Sequence, residues 1–270
     1  MSQRSLVATP KPPSYDRARM HPRVEPPPAL TRNALIPGSI ALCFVIVYVI
    51  ELHPGWVFVV GALVSALYLF VPHLGKRSLA RFDRDLVQLL ARGERSALEA
   101  RYRRALGMRL FAPPALVAER RGLVAAEVGS AERARAAYLD ALEGYGPGEA
   151  PLSVRLGLAH ACYALGDDEE AIRNYRAVVE KSGGLPRVAQ SFAHSLARRG
   201  EALDEAERMV ERLLADAGDD PPAERLLLRA LVHAKRGQKG PARKLVTRTA
   251  EAQGDLAEQL RGETEEALAE

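Results

Sequence analysis

Apolar residues follow different patterns along the chain, and each pattern predicts a different kind of segment. Residues 1–33 contain seven prolines and six Lys or Arg against two acids, which is typical of a disordered basic tail. Residues 34–50 carry no charge, and residues 55–75 form a second uncharged run. From about residue 76 onward, apolar residues recur every three or four positions, a spacing that predicts amphipathic helices.

The two uncharged runs predict a helical hairpin that crosses a membrane. A spanning helix needs about 20 mostly apolar residues, and spans at about 34–52 and 55–74 satisfy this within a domain at 34–75. One alternative is a signal peptide, but a second uncharged run follows the first at once. The other is a helical hairpin buried inside the protein, but this chain is too small to build a core around it. A hairpin implies the lipid bilayer as a partner and allows a homo-oligomer through the spans.

Charged residues flank these runs unevenly. Lys and Arg lie before the first run and after the second, whereas the short segment between them carries Glu51 and no Lys or Arg. Because positive flanks stay inside, both termini are expected in the cytoplasm. The chain has 32 Arg but 6 Lys, a bias typical of GC-rich bacterial genomes. The expected location is therefore the bacterial inner (cytoplasmic) membrane, crossed more than once.

An internal repeat runs through the rest of the chain. Glycines recur 34 to 37 positions apart between amphipathic segments, at Gly93, Gly129, Gly166, Gly200 and Gly237. A small residue follows each later glycine by about five positions and a larger apolar residue comes four positions further on, as in Ala171 and Tyr175. Glycine permits the left-handed backbone that ends a helix. Since one helix pair cannot bury its apolar face alone, the pattern predicts stacked helix pairs.

This pattern resembles the tetratricopeptide repeat (TPR) family. Residues 156–180 match the family's small, Gly, acidic, Ala and aromatic positions through Ala159, Gly166, Asp167, Ala171 and Tyr175. Residues 121–142 match nearly as well. The resemblance implies an all-α fold, with the two-helix transmembrane hairpin followed by a TPR-like α-solenoid of about five helix pairs over residues 76–250. Residues 251–270 are expected to form an acidic C-terminal capping helix, with an acidic interaction tail as the alternative.

The resemblance also implies where a partner binds, because TPR proteins hold peptides on the inner face of the first helix of each pair. That register selects a set of groove residues, which are Glu119, Leu123, Glu127, Leu156, His160, Tyr163, Gln190, His194, Arg198, Leu227 and Lys235. His160 and His194 occupy equivalent positions in two units. They are either ordinary groove-lining residues or participants in peptide binding, and no third ligand accompanies them for a metal.

Motifs and charge narrow the class of function. The sequence contains no phosphate-loop, dinucleotide-binding, zinc-protease or nucleophile-elbow motif. No catalytic residue, metal site or cofactor is therefore predicted, and the chain is not expected to be an enzyme. Although the net charge is +4, Arg residues alternate with acids along the repeats and lack interleaved aromatics, so no nucleic-acid partner is expected.

Together these features predict a non-enzymatic, membrane-anchored TPR adaptor or scaffold. Its cytoplasmic solenoid would present a concave groove to a protein or peptide partner, and the anchor would raise the effective concentration of that groove at the membrane. The alternative function is a periplasmic-facing chaperone or assembly factor of the TPR type. The segment between the two runs is short and carries no cation, which favours the adaptor.

Overall fold

The computed structural model describes residues 54–146, 148–182 and 186–270, together with Gly38 and Ala41. Across these ranges the chain forms twelve helices and no strand, so the predicted all-α class is confirmed for this part of the molecule. The predicted basic tail and most of the predicted first span lie outside the described residues.

The described residues form two compact units, an N-terminal unit that ends at Pro151 and a C-terminal unit over Leu152–Glu270. The helices of the N-terminal unit are α1 (Pro54–Arg92), α2 (Arg95–Arg104), α3 (Leu106–Phe111), α4 (Pro114–Glu127) and α5 (Ala131–Tyr145). Those of the C-terminal unit are α6 (Leu152–Leu165), α7 (Asp168–Ser182), α8 (Pro186–Arg199), α9 (Leu203–Ala215), α10 (Ala223–Lys235), α11 (Lys239–Arg248) and α12 (Asp255–Ala269).

The core of the N-terminal unit lies between the second half of α1 and the helices that follow it. Seven buried residues form this core, namely Phe82, Leu86, Leu98, Ala105, Met108, Ala112 and Val124. Helices α1 and α3 approach at Gly75, where a Cβ atom would lie 2.3 Å from the carbonyl oxygen of Phe111. Because only glycine permits that approach, a substitution at Gly75 would force the two helices apart.

The prediction of a multi-pass membrane location is contradicted by this structure. In the part of the chain described, no helix is both long enough and apolar enough to cross a bilayer. The second uncharged run does not end as a separate span, since α1 continues from Pro54 through the charged residues beyond position 75 to Arg92. Val71, Phe82 and Leu86 of this helix are buried within the protein. The predicted inner-membrane location with two cytoplasmic termini is therefore wrong.

The glycine pattern, by contrast, is reproduced in the backbone. The five glycines of the repeat all have positive φ angles, between 67° and 83°. At the end of α6, the Gly166 N–H donates to the Tyr163 carbonyl at 3.1 Å and the Asp167 N–H donates to the Cys162 carbonyl at 3.0 Å. These bonds satisfy carbonyl groups that the helix end leaves without partners. The glycines thus end one helix and allow the next to turn back.

The small residues that follow the glycines lie where paired helices touch. None of the four has measurable exposure, and they are Ala134, Ala171, Ala206 and Ala242. In the N-terminal unit, a Cβ atom on Gly122 of α4 would lie 2.9 Å from the Tyr138 ring of α5. The predicted arrangement of helix pairs held by small residues is confirmed in these segments.

Candidate partner-binding site

The predicted groove residues are divided between the two units. Three lie on α4 in the N-terminal unit, where their side chains are engaged within the protein. Glu119 is buried, accepts a 2.9 Å hydrogen bond from the Tyr145 hydroxyl, and lies 3.0 Å from the Arg120 guanidinium. Leu123 packs against the apolar core of the unit. Burial raises the pKa of the Glu127 carboxyl, and the nearby Arg95 opposes that effect.

The other predicted groove residues lie on the first helices of the three pairs in the C-terminal unit. These are Leu156, His160 and Tyr163 on α6, Gln190, His194 and Arg198 on α8, and Leu227 and Lys235 on α10. Residues four apart on a helix share one face. The structure joins some of these side chains directly, gives others partners that the sequence did not reveal, and buries Leu227 completely.

His160 faces the interior of its own helix pair. Its Nδ1 lies 2.8 Å from the hydroxyl of Tyr175 on α7, and the two rings meet edge to face with centroids 5.5 Å apart. Tyr175 has no measurable exposure. Burial lowers the pKa of His160 to about 4, so the imidazole is neutral near pH 7.

His194 links two first helices instead. Its Nδ1 lies 2.6 Å from the hydroxyl of Tyr163 on α6, with ring centroids 5.6 Å apart. Arg198 lies one turn further along α8, with its guanidinium carbon 4.8 Å from the centre of the Tyr163 ring. The same guanidinium donates to Asp168 Oδ1 of α7 at 2.5 Å. A connected cluster of Tyr163, His194, Arg198 and Asp168 therefore spans three helices.

Glu263 of α12 completes this cluster, and the sequence reasoning missed it. The Glu263 Oε2 lies 2.6 Å from His194 Nε2, although the two residues are 69 positions apart. Burial alone would raise the pKa of the Glu263 carboxyl. The hydrogen bond and charge of His194, together with Gln259 and Arg198, have a larger combined effect, so the pKa is lowered. The acidic character of residues 251–270 was a usable signal, whereas the helix periodicity could not reveal which surface receives α12.

The side chains of the cluster are engaged with one another. Both nitrogens of His194 already have hydrogen-bond partners. Burial raises the pKa of the Tyr163 hydroxyl to about 12, so it keeps its proton near neutral pH. Among the described residues, no group of three or more His, Cys, Asp or Glu side chains is placed to hold a metal ion. The cluster therefore fixes the half-buried side chains of Tyr163 and Arg198 around the buried His194.

Comparisons with known proteins provide no family assignment. The chain matches no family model, and searches of curated proteins and of solved structures likewise gave no match.

Proposed function

We propose that this protein is a non-enzymatic adaptor whose TPR-like helix pairs bind a protein segment through the first-helix face of the C-terminal unit. That face is defined by Tyr163 of α6, Gln190, His194 and Arg198 of α8, and Lys235 of α10. A face of this kind provides hydrogen-bond and charged groups for recognition on a rigid helical framework.

The observation that carries the proposal is the convergence of Tyr163, His194 and Arg198. These side chains come from two first helices separated by a complete second helix, yet they lie within hydrogen-bonding or ring-contact distance of one another. An ion pair behind these side chains fixes their positions, since Asp168 binds the Arg198 guanidinium at 2.5 Å. Such fixed rotamers reduce the entropy lost when a partner is bound.

The surroundings of the face support recognition of a partner that carries negative charge. Arg198 lies near the end of α8, four residues after His194. Lys235 occupies the corresponding position on α10, four residues after Leu231, and both cations are half-buried. Each cation already faces an acid, Asp168 or Glu270 respectively. Complementary charges of this kind give orientation and specificity more than raw affinity.

Site-specific photocrosslinking in the producing cells tests this function. A benzoylphenylalanine residue replacing Gln190 on α8 is expected to crosslink one discrete protein, and peptide mass spectrometry would locate the crosslinked segment. The matched control replaces Arg208, an exposed residue of the second helix α9, and should give no such product. Equal products from both positions, or no product from Gln190 in any variant, would contradict the proposal.

A further inference from the structure

The C-terminal helix α12 has two different faces. Its buried residues recur along one side, at Ala257, Leu260, Thr264 and Ala267. Its acids lie elsewhere on the helix, and residues 251–270 contain seven acids but a single Arg. A stripe of small and apolar residues beside acidic positions is the pattern of a helix that docks into a groove.

Helix α12 packs mainly on α10 and less on α11. Leu227 and Leu231 of α10 lie one turn apart, at the register that Gln190 and His194 occupy on α8. Both leucines have no measurable exposure, although they belong to the face on which the family resemblance places a partner. No further helix pair follows α11 in the described chain. Helix α12 instead covers α10, which is the first helix of the final pair.

Polar contacts add to this docking on α10 and extend it to α8 and α11. Glu263 reaches His194 on α8 at 2.6 Å, and Glu270 lies 3.3 Å from the Lys235 ammonium. The Lys239 ammonium also donates to the Leu268 carbonyl at 3.2 Å. In each of these contacts α12 supplies the acceptor and the rest of the unit supplies the imidazole or the cation. The face is therefore complementary to an acidic amphipathic helix.

The connection to α12 is short. Residues 249–254 separate α11 from α12, and the Arg261 guanidinium donates to the carbonyls of Thr249 and Ala252 at 2.8 and 3.0 Å. A short tether gives an attached segment an effective concentration of about millimolar. A competing helix must therefore bind the same face strongly enough to displace the chain's own segment.

We infer that α12 is a resident ligand of the first-helix face and that the protein's partner is another acidic amphipathic helix, which binds by displacing α12. This inference rests on the proposed function, since it names the partner class and the regulation of the same face. The contact of Glu263 with His194 makes a glutamate three residues after a buried leucine the key feature of the incoming helix.

The test uses the full-length protein and a fluorescent peptide of residues 254–270. Leu260→Ala in the protein weakens the attached α12, so peptide affinity measured by anisotropy should rise at least about tenfold over wild type. A peptide carrying Glu263→Gln should bind this variant about tenfold more weakly than the unchanged peptide. A Glu265→Gln peptide is the matched control, since Glu265 is exposed, and should bind within about twofold.

Amide exchange of α12 decides whether the segment has been released. If α12 exchanges rapidly in Leu260→Ala but the peptide fails to bind, or binds without regard to Glu263, the inference is overturned. If α12 stays protected, Leu260→Asp provides a stronger perturbation. Continued protection in that variant would show that α12 is a fixed part of the core and would also overturn the inference.

The two proposals fail in different ways. If the peptide binds as expected but no external protein crosslinks from position 190, even in Leu260→Ala, the proposed adaptor function fails while the resident-ligand role of α12 stands. Crosslinking of an external protein at equal yield in wild type and Leu260→Ala would support the adaptor and contradict displacement of α12.

Discussion

His160 and His194 lie at equivalent positions of two successive first helices, and their imidazoles nevertheless have opposite surroundings. His160 bonds to Tyr175 within its own helix pair. His194 bonds to Tyr163 of the preceding first helix and to Glu263 of the C-terminal helix. The first contact is local to one repeat, whereas the second joins elements that are distant in sequence.

This difference shows how a repeat can vary its side-chain contacts without changing its fold. Both histidines follow a buried alanine, Ala159 or Ala193, which holds the two helices at the same kind of close contact. What differs is the aromatic partner that lies within reach. Tyr175 ties the first imidazole to its own helix pair, whereas Tyr163 binds only Nδ1 of the second, whose Nε2 contacts Glu263 from outside its helix pair.

The largest expected effect comes from breaking the interior pair. Tyr175→Ala removes a fully buried aromatic side chain and should lower the free energy of unfolding by roughly 3–5 kcal/mol. Urea unfolding followed by circular dichroism measures this loss. Tyr163→Ala, which truncates the half-buried ring of the other pair, should cost about half as much or less. Equal losses from the two substitutions would mean that the two pairs contribute to the core alike.

A second prediction uses pH to distinguish His160 from His194. Folding lowers the pKa of His160 from 6.5 to about 4, so the unfolded chain takes up this proton first. The associated stability is complete above pH 6.5 and is lost as pH falls toward 4. At about 1.4 kcal/mol per pKa unit, the loss approaches roughly 3 kcal/mol.

The variant His160→Gln tests this pH dependence, because Gln can form a hydrogen bond with the Tyr175 hydroxyl but does not titrate. Its unfolding free energy should fall less steeply than that of wild type between pH 6.5 and 4.5. The pKa of Glu263 lies below its ordinary value of 4.5. The stability that Glu263 contributes is therefore lost below this pH range and does not affect the comparison. Parallel curves for the two proteins would refute the assignment.

The third prediction concerns the histidine that receives α12. Glu263→Gln replaces the carboxylate that His194 contacts and should weaken docking of α12 by about 1.5 kcal/mol, the lower end of the range for hydrogen bonds to a charged group, because Gln keeps an acceptor oxygen. Hydrogen exchange should then accelerate about tenfold in α12. His160→Gln should leave α12 protection unchanged, and so should the exposed control Glu265→Gln. If His160→Gln exposes α12 to the same degree, the two histidines act through one shared structure.

The helix pairs were predictable from the sequence because their signals are local. Glycines with a positive φ and small residues at fixed offsets specify where a helix ends and where two helices touch. His160 and His194 were placed on the correct helices for the same reason. The same spacing grouped Tyr163 and Arg198 with His194, and the structure brings these three side chains into contact.

The remaining features depend on long-range packing, which spacing does not encode. Glu263 is 69 positions from His194, and no periodicity reveals that contact. Leu227 has the register of a groove residue but is covered, because the chain's own last helix packs on α10. The membrane prediction failed for a related reason, since counting apolar residues from 55 to 75 does not show that the helix continues to Arg92.

The smallest expected effect comes from the ion pair between Asp168 and Arg198 within the cluster. Asp168→Asn removes the charge facing Arg198 and some interaction with the α7 helix dipole, and it should cost about 1 kcal/mol or less. Its structural effect should be selective, because a freed Arg198 no longer fixes the Tyr163 ring. Ring resonances of His194 should therefore shift in NMR spectra while those of His160 stay in place. The matched control Glu169→Gln changes an exposed acid in the same turn and should shift neither histidine. Equal shifts at His160 and His194 would show that the two imidazoles belong to one coupled network.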